Sequence, residues 1–197
     1  VYRLAGMVRG TYPYVVIVDD LEKMTGGANT KYEWLAQIPE DLTLLPTPYP
    51  AGLDPVRDIV LMEPAETGDR RLLIRILTAE GSRPNNALYE FDEAKTYYQW
   101  GSDRAAKRFI IERLSERPNY RVLLYPFREG EAVPTHTEEA SGNLVVEWSG
   151  QRDTLVFEDQ VQTVGGEDVT ISGFRIFRSG NTLIDTRGEV EPNDIRM

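Results

Sequence analysis

Lys31-Tyr32-Glu33-Trp34-Leu35-Ala36-Gln37-Ile38 is the stretch that decides the fold class. Tyr32, Trp34, Ala36 and Ile38 recur at every second position, with Lys31, Glu33 and Gln37 between them. A β-strand turns successive side chains to opposite faces, so this spacing builds one apolar face and one wet face. On a helix the same residues would be scattered around the axis. Only Leu35 breaks the polarity of the wet face. The alternation therefore predicts Trp34 as a core anchor beside Tyr32, not as an exposed platform for a sugar ring.

Outward from this strand, short runs of the same kind recur. Tyr12 to Val18 is aromatic and β-branched and stops at Asp19-Asp20, and the first residues of the chain also read as a strand. Further strands are predicted at Leu72 to Leu77, Lys107 to Leu114, Tyr120 to Tyr125, Leu144 to Trp148, Thr154 to Phe157 and Val169 to Phe177,. Gly173 interrupts the last of these, which predicts a bulge or bend. Gly26-Gly27-Ala28-Asn29 and the prolines at 46, 48, 50 and 55 read as connectors. Ser141-Gly142-Asn143 and Ser179-Gly180-Asn181 have the chemistry of hairpin turns,. One helical turn is expected at Asp103-Arg104-Ala105-Ala106-Lys107, within the less regular segment 92–108. The predicted class is all-β: an antiparallel β-sandwich of two packed sheets, with many short strands and little helix. It forms one domain over residues 1–188, followed by a polar tail at 189–197.

Composition narrows the function classes. The 197 residues carry a net charge of −10, which opposes nonspecific attraction to nucleic acid or to an acidic membrane surface,. There is no apolar run of about 18 residues, so no membrane-spanning helix is expected. Val1 to Val8 has neither the basic start nor the apolar middle of a secretory leader. Zero cysteines exclude disulfides, thiolate metal ligands and cysteine nucleophiles,. No phosphate-cradling glycine loop, serine elbow or metalloprotease helix occurs.

The stretch Arg9-Gly10-Thr11-Tyr12-Pro13-Tyr14-Val15-Val16-Ile17-Val18-Asp19-Asp20 is followed, after a glycine-containing turn, by Lys31-Tyr32-Glu33-Trp34-Leu35. This pair of segments resembles the strand–turn–strand in the C-terminal β-sandwich domain of heparinase II/III-like polysaccharide lyases. Asn119-Tyr120-Arg121-Val122-Leu123-Leu124-Tyr125-Pro126 and Asn143-Leu144-Val145-Val146-Glu147-Trp148 resemble later strands of the same domain. The likeness covers residues from about 1 to 160, and its motifs are strand patterns. It implies an upstream α/α toroid, an acidic polysaccharide as substrate, β-elimination as the reaction, and a periplasmic or secreted location. In that family Asn, His and Tyr do the chemistry, mostly from the toroid and from a His-rich stretch at the start of the sandwich. This chain has one histidine, His136, far downstream of that stretch, and Lys31 stands where relatives often have His. No catalytic residue is therefore assigned here, and no cofactor or metal is expected.

Six residues are the candidates for substrate contact. Tyr97, Tyr98 and Trp100 lie in the less regular segment and are expected to be exposed, where aromatic faces can stack on sugars. Arg104 and Arg108 can meet carboxylates or sulfates as bidentate donors. His136 is expected as a solvated loop residue, because metal or base roles need partners that the sequence lacks. Arg104 and Arg108, with Arg70, Arg71, Arg75 and Lys107, are also interleaved with Glu66, Asp69, Glu80 and Asp103, and the whole set reads as a mixed-charge surface,. Asp19, Asp20 and Glu22 lack the spacing of a Ca²⁺ loop, and Asp19 and Asp20 are expected to end a strand and hydrogen-bond the turn backbone. The alternative to a lyase domain is a stand-alone carbohydrate-binding or adhesive β-sandwich; a metal-dependent cupin is disfavoured by the lone histidine.

Overall fold

The computed structural model describes residues 2–21, 30–39, 41–46, 49–77, 90–99, 102–114, 119–164 and 166–186. Among these residues the chain forms fourteen strands and no helix. In order they are β1 (Tyr2–Val8), β2 (Tyr14–Asp20), β3 (Lys31–Ile38), β4 (Thr43–Leu44), β5 (Asp58–Met62), β6 (Arg70–Ile76) and β7 (Glu90–Gln99). Then follow β8 (Ser102–Leu114), β9 (Asn119–Arg128), β10 (Thr135–Glu138), β11 (Leu144–Trp148), β12 (Gln151–Val164), β13 (Glu167–Arg178) and β14 (Asn181–Asp185). They make a six-stranded sheet ordered β1-β2-β9-β6-β5-β4, a five-stranded sheet β10-β11-β12-β13-β14 and a three-stranded sheet β3-β8-β7. All pairings are antiparallel. The predicted tail at 189–197 lies outside the described residues.

The all-β antiparallel sandwich is as predicted, but it has three layers where two were expected. The reason is legible in β6 and β9, where apolar residues occupy odd and even positions alike. Leu73, Leu123, Tyr125 and Phe127 pack with Leu144, Val146, Trp148, Phe174 and Ile176 of the five-stranded sheet. Their neighbours Ile74, Ile76, Tyr120 and Val122 pack with Trp34, Ile38, Phe109 and Ile111 of the three-stranded sheet. The six-stranded sheet is thus the middle layer, buried on both faces, and a strand in that position must be apolar at odd and even places alike. Leu73, Val122 and Leu123 are fully buried, and each such side chain stabilises the fold by roughly 1.5–3 kcal/mol. Trp34 is buried as predicted, whereas Leu35 on the opposite face is exposed.

Local chemistry fixes the joints. Gly6 on β1 faces the five-stranded sheet, where a Cβ would meet Ile184 Cδ1 at 2.9 Å and Phe174 Cζ at 3.0 Å. Any larger residue would push those layers apart. Ser179 (φ 50°) and Gly180 (φ 79°) form the two-residue turn between β13 and β14, both left-handed as a type I′ hairpin requires,. Gly173 makes no bulge: it pairs in register with Glu158, and the irregularity falls between Ile176 and Phe177 against β14. The helical turn expected at 103–107 is also absent. Those residues begin β8, where pairing of 103–106 with β7 overrides local helix propensity and β3 joins from Lys107 onward,.

Candidate functional site

The structure distributes the five described candidate residues over two outer layers. Tyr97 and Tyr98 lie in β7, where the register sets Tyr97 opposite Arg104 and Tyr98 opposite Asp103. These residues share one end of the β7–β8 hairpin. Trp100 lies outside the described residues. Arg108, half-buried, stands in the middle of β8 opposite Gln37 of β3 and Asp92 of β7. His136 belongs to the other outer layer, so it is not part of one site with the rest.

His136 also departs from its expected setting. It lies in β10 opposite Val146 and is half-buried, not in a solvated loop. Burial, and then the nearby Arg75 and Arg57, hold its pKa below the ordinary value of 6.5, against weaker opposite pulls from Asp58 and Asp54. Its imidazole makes no hydrogen bond among the described residues, so nothing orients it as a base.

Arg75 corrects the expectation of a surface arginine. It is 1% exposed and forks the fully buried Asp58, with Nε to Oδ1 at 2.7 Å and Nη2 to Oδ2 at 2.6 Å. Its remaining donors reach the carbonyl oxygens of Pro134 (2.6 Å) and Gly52 (3.1 Å). Asp58 in turn accepts the Asp54 backbone N–H. A buried charge is tolerated when it is paired and well hydrogen-bonded, and this pair is held so while tying two loops together,. Arg70 is exposed as predicted and pairs with Glu63, whereas Arg71 is mostly buried and reaches the exposed Glu129.

Two further carboxylates are used in the same way. Asp19 accepts Arg3 Nε at 2.6 Å and Trp34 Nε1 at 2.5 Å, not the turn backbone. Glu22 lies outside the described residues, and among those described no three carboxylates or histidines group as metal ligands. Asp153 is forked by Arg178 and also accepts Tyr14 Oη at 3.0 Å and Gln151 Nε2 at 3.2 Å. Burial, and then Asp153, hold the Tyr14 phenol far above its usual pKa. Tyr12 stacks on Trp148 with centroids 5.7 Å apart. Sequence reasoning missed these clamps, although a charged residue inside an apolar run, as in Leu73-Ile74-Arg75-Ile76-Leu77, is their signal.

Two clefts open at the free end of β6. The first, about 430 Å³, carries Leu42, Leu61 and Leu72 beneath the Glu63–Arg70 pair. The second, about 620 Å³, lies between Leu45 with residues 50–53 on one side and residues 127–135 on the other. Its floor is Leu45, Leu53, Phe127 and Val133, and its rim holds Arg71, Glu129 and Glu131. The ties from Arg75 to Gly52 and Pro134 span its two walls, and Tyr125 Oη donates to the Ala132 carbonyl at 3.3 Å. Neither cleft presents a surplus of positive charge, so neither suits a polyanion. Set against models of known families, curated proteins and solved structures, the chain matches none.

Proposed function

We propose that this chain is the C-terminal β-sandwich of a heparinase II/III-like polysaccharide lyase, supporting a catalytic α/α toroid and walling part of an acidic-polysaccharide cleft. One observation carries the reading. The two segments that bear the resemblance belong to different sheets but meet through the hydrogen bond from Trp34 to Asp19, a contact that supports reading them together. The strands at 119–126 and 144–148, which extend the likeness, sit on either side of the same core as β9 and β11.

The chemistry of the described side chains supports a scaffold. The buried carboxylates are engaged by arginines, and the one histidine is held neutral without an orienting partner. Substrate contact falls to the end of the β7–β8 hairpin, where register sets Tyr97 opposite Arg104. An aromatic face can stack on the sugar ring while guanidinium pairs with a carboxylate or sulfate. His136, on the far layer, takes no part.

β-Elimination leaves an unsaturated uronate that absorbs in the ultraviolet, which gives the test. The coding sequence upstream of Val1 is read, and the extended protein and this chain are both assayed on heparan sulfate and alginate. A helical toroid upstream, with turnover by the extended protein only, supports the proposal. In that protein Tyr97→Ala and Arg104→Ala should raise KM more than they lower kcat. An unrelated module upstream, with polysaccharide binding by this chain alone, would instead favour a binding or adhesive sandwich.

A further inference from the structure

We propose that the cleft of about 620 Å³ between Leu45 with residues 50–53 and residues 127–135 binds a small organic cation, an apolar body bearing one ammonium group, with the ammonium at Glu131. The volume is in the range of sites for small ligands, about 300–1,000 Å³. The floor of Leu45, Leu53, Phe127 and Val133 supplies apolar contact without a hydrogen-bond donor or acceptor in its side chains.

Charge then chooses among apolar ligands. Arg71 is mostly buried and its guanidinium is already neutralised, Nη2 lying 3.0 Å from Glu129. Glu131 accepts only the Arg128 backbone N–H, at 2.7 Å, and has no ion-pair partner among the described residues. The rim therefore carries one negative charge more than it carries positive. The whole chain, at −10, steers cations in the same direction,.

The walls are also held before any ligand arrives. Arg75 grips the Gly52 and Pro134 carbonyl oxygens from below, and Asp58 holds Arg75 in place. Val133 Cγ2 would lie 3.2 Å from a Cβ at Gly52, so the walls meet closely at the cleft's base. A cleft fixed in this way loses little freedom on binding, which is the condition for affinity from a small contact area.

The probe is phenethylammonium, titrated into the full chain while the methyl NMR signals of Leu53 and Val133 are followed. 2-Phenylethanol and 3-phenylpropionate serve as the neutral and anionic counterparts. The expected result is saturable shifts with the cation, weaker ones with the alcohol and none with the carboxylate. Glu131→Gln keeps an acceptor for Arg128 N–H, so it should fold normally and weaken the cation about tenfold. Val133→Trp should fill the cleft and abolish the shift at Leu53. Tighter binding of the carboxylate would place the ligand on Arg71 and overturn the proposal. So would equal binding of all three probes, no binding of the cation, or an unchanged affinity in Glu131→Gln.

Discussion

The two faces of the middle sheet are drawn from the same strands, yet they are closed in different ways. Towards the three-stranded sheet the contact is mainly aliphatic, with Trp34 and Phe109 in T-shaped contact and one buried carboxylate, Asp19, at its edge. Towards the five-stranded sheet it is aromatic, with Tyr14 and Tyr125 each against Trp148, and it contains two arginine-clamped carboxylates. Burying charge costs several kcal/mol per ion, and apolar residues of similar volume are often as stable or better. What the charged face gains is attachment: Arg75 reaches two loops, and Arg178 Nη1 donates to the Arg9 carbonyl at 3.0 Å. One face holds strands together; the other also holds loops in place.

The hardest way to break this contrast is Asp58→Asn. It leaves Arg75 charged and 1% exposed, which should cost about 3–5 kcal/mol,. Out of a total near 5–15 kcal/mol, that is a large fall in the denaturant midpoint. Asp153→Asn should cost less, because the Arg178 side chain is 23% exposed and can turn to water. Replacing both partners, Asp58→Leu with Arg75→Met, should restore stability while loosening the 50–53 and 127–135 segments. Equal losses for the two single variants would mean that depth of burial does not separate the pairs.

A smaller effect sharpens the other face. Trp34→Phe keeps the ring against Phe109 but removes the donor to Asp19, leaving that buried carboxylate only Arg3, whose side chain is 64% exposed. The expected cost is about 1.5–3 kcal/mol, the range for hydrogen bonds to charged groups. Tyr14→Phe should cost nearer 1 kcal/mol, since Asp153 keeps Arg178 and Gln151,. Paired urea melts decide it, and a larger loss at Tyr14 than at Trp34 would reverse the ranking.

The outer strands were legible because solvent on one side imposes alternation. Trp34 could be assigned to the core from Lys31, Glu33 and Gln37 alone. The third layer was not, since a run such as Leu72 to Leu77, apolar except for Arg75, states that a strand is buried without saying that two sheets bury it. β5 was hidden behind the prolines at 46–55, and β7 behind the Ala-rich start of β8. Arg75 was misread because sequence shows a charge and its near neighbours, while Asp58 is brought to it by the pairing of β5 with β6. The hairpin candidates Tyr97 and Arg104 were found as residues, but only register shows that they stand opposite each other.

The smallest effect concerns His136 and comes from pH. It lies on the charged face, where burial is the largest influence, Arg75 and Arg57 repel its protonated form, and Asp58 and Asp54 favour that form. The net direction is a folded pKa below the ordinary value of 6.5. A histidine depressed in this way binds a proton more readily when unfolded. Its neutral form therefore contributes stability that is intact above the unfolded pKa and is lost as pH falls from there through the folded value. His136 is the only histidine, so few other side chains titrate between about pH 7 and about pH 5,. Urea midpoints of wild type and His136→Gln at those two values isolate the effect, because their carboxylates are common to both. Wild type should lose more stability on acidification than the variant. A variant with the same pH dependence would show that His136 is wet enough to titrate freely, and that the charged face does not reach β10.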